Sequence, residues 1–228
     1  MKDLERIIYH GSSNLIKHPV YGKGKPYNDY GLGFYCTENP DLAKEWAVNE
    51  SQDGYLNSYK IDDTDLSILK LTDKEFGILH WLNILLQNRQ FDMPSPLARE
   101  AKKYINENFS IAYEEYNVII GYRADDSYFS FAQDFLNGTI SFRQLNHAMR
   151  LGNLGEQFVL KSKKAFDKLV FCEYEKADKN LWYPRKELRD RTARQEYYNM
   201  DKNQYQRGDI YIVSIIDQEM KSDDKRLR

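Results

Sequence analysis

The sequence predicts an α+β fold, and three observations carry that prediction. Short apolar runs of strand length recur along the chain, amphipathic helical segments separate them, and glycine, proline or capping residues mark their ends. The 228 residues are 41% hydrophobic, which is enough for the core of a single domain. We therefore expect one domain over residues 1–228, with a helical insertion at about 73–115 and a charged segment at about 176–209.

The strands are predicted from short runs of apolar and β-branched residues bounded by turn signals. The first delivers His10 at its end, and a loop rich in glycine and proline follows at 14–30. A buried strand at 117–121 leads into a loop with the sequence YRADDSYF. The predicted strands are 6–9, 55–61, 66–71, 117–121, 156–161, 168–174 and 210–216.

The helices are predicted from apolar periodicity and from capping signals. Asn39 is suited to cap a helix at 40–49 that has Pro40 in its first turn. The segment EFGILHWLNILLQNR reads as a buried helix with His80 and Trp81 in the core, and a second helix is predicted at 96–108. In TISFRQLNHAMRLG, Ser141 and Gln144 form a capping box and Gly152 ends the helix.

The composition excludes several classes of protein. A formal net charge of -2 provides no overall basic surface for non-specific nucleic-acid binding. No stretch approaches the about 18 apolar residues of a membrane span, and the start, MKDLERIIYHGSS, lacks the apolar core of a signal peptide. Cys36 and Cys172 are far apart, and the four histidines are scattered. We expect a cytoplasmic protein without a membrane partner or a metal site.

Three short motifs point to a function when they are taken in order: YHGSS at 9–13, GLGFYCT at 31–37 and GEQFVLKSKKAF at 155–166. The glycine turn lacks the lysine of a P-loop and the third glycine of a dinucleotide fingerprint. Together the motifs resemble the ADP-ribosyltransferase superfamily, in the branch of diphtheria toxin and the poly(ADP-ribose) polymerases. Over most of residues 5–195, the sequence also resembles an uncharacterised bacterial domain family assigned to that superfamily.

This resemblance implies a split antiparallel β-sheet core with an inserted helical block. It also implies NAD as a substrate, release of nicotinamide and transfer of ADP-ribose to a macromolecule. Small proteins of this kind act as bacterial toxins or effectors, so the resemblance implies an antitoxin or immunity protein as a partner. No metal is implied.

The resemblance also assigns roles to residues of the first two motifs. His10 would bind the adenosine ribose, the backbone of Gly11 the nicotinamide amide, and Ser12 would lie near the ribose. Tyr35 would stack on the cationic nicotinamide ring. Gly31 and Gly33 would allow close approach of the backbone, with Phe34 in the same turn. Trp46 is expected in the core.

The third motif leaves two candidates for the catalytic position, Glu156 and Gln157, which lie on opposite faces of a strand. The apolar pattern that follows favours Gln157, which can bond a hydroxyl but carries no charge. Glu156, Asp125 or Asp126 could then deprotonate the acceptor. Arg123, Asp125 and Asp126 in the YRADDSYF loop are read either as substrate-facing or as a salt-bridged turn.

Rival functions remain open from the sequence. An NAD glycohydrolase or an NAD-dependent RNA phosphotransferase would use the same fold, and basic residues around the pocket mouth would favour the latter. A non-catalytic NAD-binding or interaction module is favoured by Gln157. The charged segment at about 176–209 is read as a solvated helix, or as a contact for a partner or nucleic acid.

Overall fold

The computed structural model describes residues 5–124, 126–151, 155–200 and 205–227, except for the side chains of residues 126–128. In these ranges the chain forms a mixed arrangement of helices and two β-sheets. The strands, in chain order, are β1 (Glu5–Ser12), β2 (Phe34–Cys36), β3 (Gly54–Asp62), β4 (Ile68–Lys70), β5 (Val118–Tyr122), β6 (Glu156–Leu160) and β7 (Leu169–Ala177). The helices are α1 (Pro40–Ala47), α2 (Ile78–Asn88), α3 (Pro96–Asn108), α4 (Asp126–Leu136), α5 (Phe142–Ala148), α6 (Lys163–Asp167), α7 (Lys179–Asn199) and α8 (Ile212–Asp217).

The two sheets differ in strand direction. The first has the order β1-β3-β7 and is antiparallel throughout. The second has the order β2-β6-β5-β4, in which β4 runs parallel to β5. A parallel pair requires a long crossover, and here α2 and α3 provide it. The predicted helical insertion is thus what turns an expected antiparallel sheet into a mixed one.

The sheets meet where β1 and β2 approach each other. Tyr9 and Thr37 form an isolated bridge, with N–H···O distances of 2.8 and 2.9 Å. Apolar side chains from both sheets bury one another beneath this bridge, including Ile8, Phe34, Tyr59, Phe158 and Leu160. A larger apolar cluster lies under the helices, where His80 and Trp81 are buried as predicted.

The predicted N-terminal caps of α1 and α5 are confirmed. Asn39 Oδ1 accepts hydrogen bonds from the backbone N–H groups of Asp41 and Leu42 at 2.9 and 3.2 Å, so α1 begins as predicted. The capping box also forms, with Ser141 N–H donating to Gln144 Oε1 at 2.7 Å. Gly152 lies outside the described residues.

Two predicted elements are wrong. The run at 210–216 is not a strand: Ile212 and Ile215 are fully buried on one face of α8, which is a helical spacing that a short apolar run does not reveal. The YRADDSYF segment is not a loop throughout, because Asp126 begins α4. Phe129, the last residue of this segment, and Phe131, two residues further on, pack in the large apolar cluster, which stabilises a helix there.

Candidate functional site

A cavity of about 230 Å³ lies where the loop before β2, helix α1, the end of β5 and strand β6 meet. We call it the Gln157 pocket. It is lined by Asn28, Asp29, Tyr35, Trp46, Arg89, Arg123, Ala124 and Gln157. Three residues that the sequence singled out, Tyr35, Arg123 and Gln157, therefore come together.

Strand β6 separates the two candidates of the third motif. Gln157 is 7% exposed, and its Nε2 donates to Asp29 Oδ2 at 3.4 Å. Glu156 is exposed at the end of the strand. The alternation of the strand thus directs Gln157 into the pocket, while both residues also border a neighbouring cavity of about 370 Å³. A neutral amide, not a carboxylate, occupies the β6 position of the pocket.

A carboxylate does reach the pocket, but from Asp29, which sequence reasoning missed. Asp29 is 4% exposed, and its Oδ2 accepts the Ala124 N–H at 2.9 Å in addition to Gln157. Arg89 Nη1 lies 3.6 Å from Oδ1. Burial raises the pKa of Asp29 from 3.8 to about 6, although the Ala124 hydrogen bond and the charges of Arg89 and Arg123 oppose that rise.

The neighbour of Asp29 holds it in place. Tyr30 is fully buried, and its hydroxyl donates to the Tyr122 carbonyl at 2.6 Å. Lys161 Nζ donates to the carbonyls of Tyr30 and, at 2.7 Å, of Leu32. Strand β5 and the residue that follows β6 thereby anchor the irregular loop before β2. The only signal for Asp29 in the sequence is its position two residues before the glycine turn.

Tyr35 lines the pocket, and its hydroxyl closes the turn that precedes it. The hydroxyl donates to the Gly31 carbonyl at 2.5 Å and accepts the Tyr30 N–H at 3.1 Å. Burial raises the pKa of Tyr35 well above its usual range, so the phenol stays neutral. The polar end of Tyr35 is therefore neutral and already satisfied by the protein.

The glycines of this turn are required by packing within the protein. Gly31 has φ +70°, and a Cβ there would lie 2.4 Å from Asn88 Oδ1. A Cβ on Gly33 would lie 2.8 Å from Val159 Cγ1 and 2.9 Å from the Leu160 carbonyl oxygen. Neither glycine is in the described lining of the Gln157 pocket. Phe34 is buried between the sheets and does not line it either.

The first motif joins the two sheets and is outside the described pocket lining. The His10 Nδ1–H donates to the Tyr35 carbonyl at 2.7 Å, and the ring stacks on Phe34 with centroids 4.3 Å apart. Burial lowers the pKa of His10. At Gly11 a Cβ would lie 1.8 Å from the Ala43 carbonyl oxygen, because α1 crosses β1 there. Ser12 Oγ accepts the Asn14 N–H at 3.2 Å.

The expectation that Trp46 is a core residue is wrong. The residue is half-buried at the edge of the apolar face of α1 and lines the Gln157 pocket. The Arg123 guanidinium lies 4.8 Å from the centre of its ring. The YRADDSYF segment contributed three candidate substrate-facing residues, Arg123, Asp125 and Asp126. Asp125 lies outside the described residues and only the backbone of Asp126 is described, so among these three only the Arg123 side chain is described.

The polar atoms of the pocket are poorly satisfied by the protein itself. Among the described residues, four buried side-chain atoms have no hydrogen-bond partner in the protein, and three of them line this pocket: Asp29 Oδ1, Trp46 Nε1 and Gln157 Oε1. Buried polar atoms normally have a partner, from the protein, from water or from a ligand. The pocket therefore offers one donor and two acceptors to a bound molecule.

A larger cleft of about 620 Å³ opens beside the pocket and shares Arg89, Arg123 and Ala124 with it. We call it the basic cleft. Its acidic residues are Glu45, Glu187 and Asp190, and Tyr183 also lines it. Its described cationic residues are Arg89, Arg123, Lys186, Arg189, Arg191 and Arg194.

Within the described ranges, no group of three or more His, Cys, Asp or Glu side chains is placed to hold a metal ion. Within the same ranges, no helix combines the length and apolar character needed to cross a bilayer.

Comparison with known proteins identifies one family. The family described as "Protein of unknown function (DUF3990)" matches residues 6–171, which is most of the chain. The chain belongs to the DUF3990 family. No curated protein and no solved structure matches it. The DUF3990 match includes every residue that lines the Gln157 pocket and ends inside β7, before the helix α7 that forms one side of the basic cleft.

Proposed function

We propose that this DUF3990 chain is an NAD-dependent mono-ADP-ribosyltransferase that binds the nicotinamide half of NAD in the Gln157 pocket. The observation that carries the proposal is the set of buried polar atoms without a hydrogen bond in a pocket that Tyr35 and Trp46 also line. A nicotinamide is a planar ring with a carboxamide, which offers both an acceptor and donors. Aromatic faces suit its positive charge, and Trp46 Nε1–H and the oxygens of Asp29 and Gln157 suit its amide and the ribose hydroxyls.

The chemistry that the pocket supports is cleavage of the bond between nicotinamide and ribose. Its electron pair goes to the ring nitrogen, so nicotinamide leaves neutral and no general acid is needed. Positive charge develops on the ribose, as in glycoside hydrolysis. The acceptor then bonds to the ribose carbon and loses its proton to a base. In this proposal Gln157 Oε1 orients a ribose hydroxyl, and the Asp29 carboxylate stabilises the cation through space.

Several features of the fold agree with this proposal. The two sheets meet at β1 and β2, so the first two motifs are adjacent, and β6 brings the third motif to the same region. In the proposal His10, Gly11 and Ser12 border the path of the adenosine half, and Arg123 borders the acceptor side. A bacterial toxin or effector with an antitoxin partner remains part of the proposal on the resemblance alone.

A second candidate is a non-catalytic NAD-binding module, favoured by the neutral Gln157 at the β6 position. Asp29 is the argument against it, because it restores a carboxylate to the pocket from a different element. An NAD-dependent RNA phosphotransferase is favoured by the cationic residues at the pocket mouth. An NAD glycohydrolase differs from the transferase only in using water as acceptor.

The experiment is nicotinamide release from labelled NAD by the purified protein, with and without a bacterial lysate. We expect release that depends on lysate, with label in a macromolecular fraction. Gln157→Ala should abolish release, and its neighbour Glu156→Ala should leave release near the wild-type rate. Binding of NAD with no release would select the module, release without label the glycohydrolase, and absence of binding would refute the proposal.

A further inference from the structure

We propose that the basic cleft binds single-stranded nucleic acid and presents it to the Gln157 pocket as the acceptor of ADP-ribose. The acceptor role rests on the proposed function, whereas the binding itself does not. The first support is position. The cleft and the pocket share Arg89, Arg123 and Ala124, so a polymer lying in the cleft passes the mouth of the pocket.

The second support is charge. Six cationic and three acidic described residues line the cleft, in a chain whose formal net charge is -2. Two of the acidic groups are engaged by cations of the cleft itself. Glu45, 3% exposed, accepts from Arg189 Nε and Nη2 at 2.9 and 3.0 Å, and Asp190 accepts from Arg194 Nε at 2.9 Å. The cleft thus has more cationic than acidic residues although the whole chain has a negative net charge, so its positive charge is a local feature.

The third support is the type and placement of these cations. Five of the six are arginines, whose planar donors bind phosphate in pairs. Arg89 is held against the Phe129 ring at 4.3 Å and Arg123 against Trp46 at 4.8 Å, which limits their rotation. Burial and the nearby charge of Arg123 lower the pKa of Lys186. An anion in the cleft would relieve that crowding of positive charge.

The fourth support separates a nucleic acid from an acidic protein. Tyr183 lies among the cations, and an aromatic ring beside a phosphate-binding groove is the arrangement that stacks unpaired bases. Along α7, Lys186 and Arg194 are separated by about 12 Å of helix rise, so the cations of the cleft can contact more than one phosphate of a bound strand. An acidic peptide would make no use of the aromatic ring.

The test is fluorescence polarisation with a single-stranded RNA of about 12 nucleotides, the same sequence as DNA, and a fluorescent polyglutamate of similar charge, all without NAD. The cleft variant is the double substitution Arg191→Ala and Arg194→Ala. Its matched control, Lys60→Ala with Lys163→Ala, removes two charges from surface ion pairs that do not line the cleft. Thermal melting of both variants checks folding.

We expect salt-dependent binding of one or both oligonucleotides. In the cleft variant the slope of log affinity against log salt should fall by about 1.4, from two lost phosphate contacts on a single strand. The control should keep the wild-type slope. Equal slopes in the two variants, polyglutamate binding as tightly as the oligonucleotides, or no binding of any probe would each overturn the inference.

A transfer assay with labelled NAD and the bound oligonucleotide completes the test. Label on the oligonucleotide that disappears in the cleft variant supports the acceptor role. Nicotinamide release combined with no oligonucleotide binding would refute this inference and leave the proposed function standing. Cleft-dependent binding combined with no nicotinamide release would refute the transferase and leave only the binding surface.

Discussion

The buried carboxylate of Asp29 makes the stability of the protein depend on pH in a direction that can be measured. Its pKa rises from 3.8 to about 6 in the folded chain because burial disfavours the charged form. A carboxyl group whose pKa is raised by folding binds more protons when folded. Its stabilising contribution is therefore complete below pH 3.8 and is lost as the pH rises through about 6.

The size of this effect follows from the same two values. A rise from 3.8 to about 6 corresponds to about 3 kcal/mol in the free energy of unfolding between the two extremes of pH. Between about pH 4.5 and about pH 7.5 the part that can be measured is about 2 kcal/mol. Because Asp29 is 4% exposed, little of this is screened by solvent.

The perturbation is Asp29→Asn, which preserves the shape of the side chain. The amide oxygen can still accept from Ala124 and Gln157, as Oδ2 does at 2.9 and 3.4 Å, while the charge and its titration are removed. We expect the variant to gain about 2 kcal/mol relative to the wild type on going from about pH 4.5 to about pH 7.5. All other groups titrate equally in both proteins and cancel.

The assay is urea unfolding of both proteins at these two pH values, followed by fluorescence. A second readout is nicotinamide release against pH: the wild type should rise with an apparent pKa of about 6, and the variant should be slow and flat in this range. If the two proteins showed the same change in unfolding free energy between the two pH values, the buried carboxylate would not carry the perturbed pKa. The reasoning would then be refuted.

Three other predictions concern residues of the motifs and Trp46. Tyr35→Ala and Trp46→Ala should each slow nicotinamide release by roughly 5- to 30-fold through loss of about 1–2 kcal/mol of ring contact, and rates equal to the wild type would exclude ring stacking. Gly11→Ala should destabilise the fold by about 3 kcal/mol or more in a urea titration, because its Cβ would lie 1.8 Å from the Ala43 carbonyl oxygen, while the adjacent Ser12→Ala should cost little. His10→Ala should raise the NAD concentration needed for half-maximal release. Because folding lowers the pKa of His10 below 6.5, the wild type should lose stability as the pH falls through 6.5, and the variant should lose less in the same titration.

Short-range interactions explain why much of the fold could be predicted. Asn39 and Ser141 cap their helices with their own side chains, so three or four residues of sequence contain the whole signal. The strand alternation at residues 156 and 157 likewise requires only a strand. Where the local signal was ambiguous the prediction failed, as at 210–216, where burial of Ile212 and Ile215 against other helices selects a helix.

The sequence by itself determined most strand and helix positions, though not the helix at Ile212–Asp217 or the start of α4, together with the order of the three motifs and the placement of Glu156 and Gln157 on opposite faces of a strand. Only the tertiary structure decided which of these faces the pocket. It also placed Asp29 in contact with Gln157, which is 128 positions away in the sequence, and placed Trp46 in the lining of the pocket. The physical reason is that the pocket forms where four elements cross. Residues far apart in the chain bury Asp29 and so raise its pKa, and the fold brings Arg89 and Arg123 to the cations of α7. No local pattern records either arrangement.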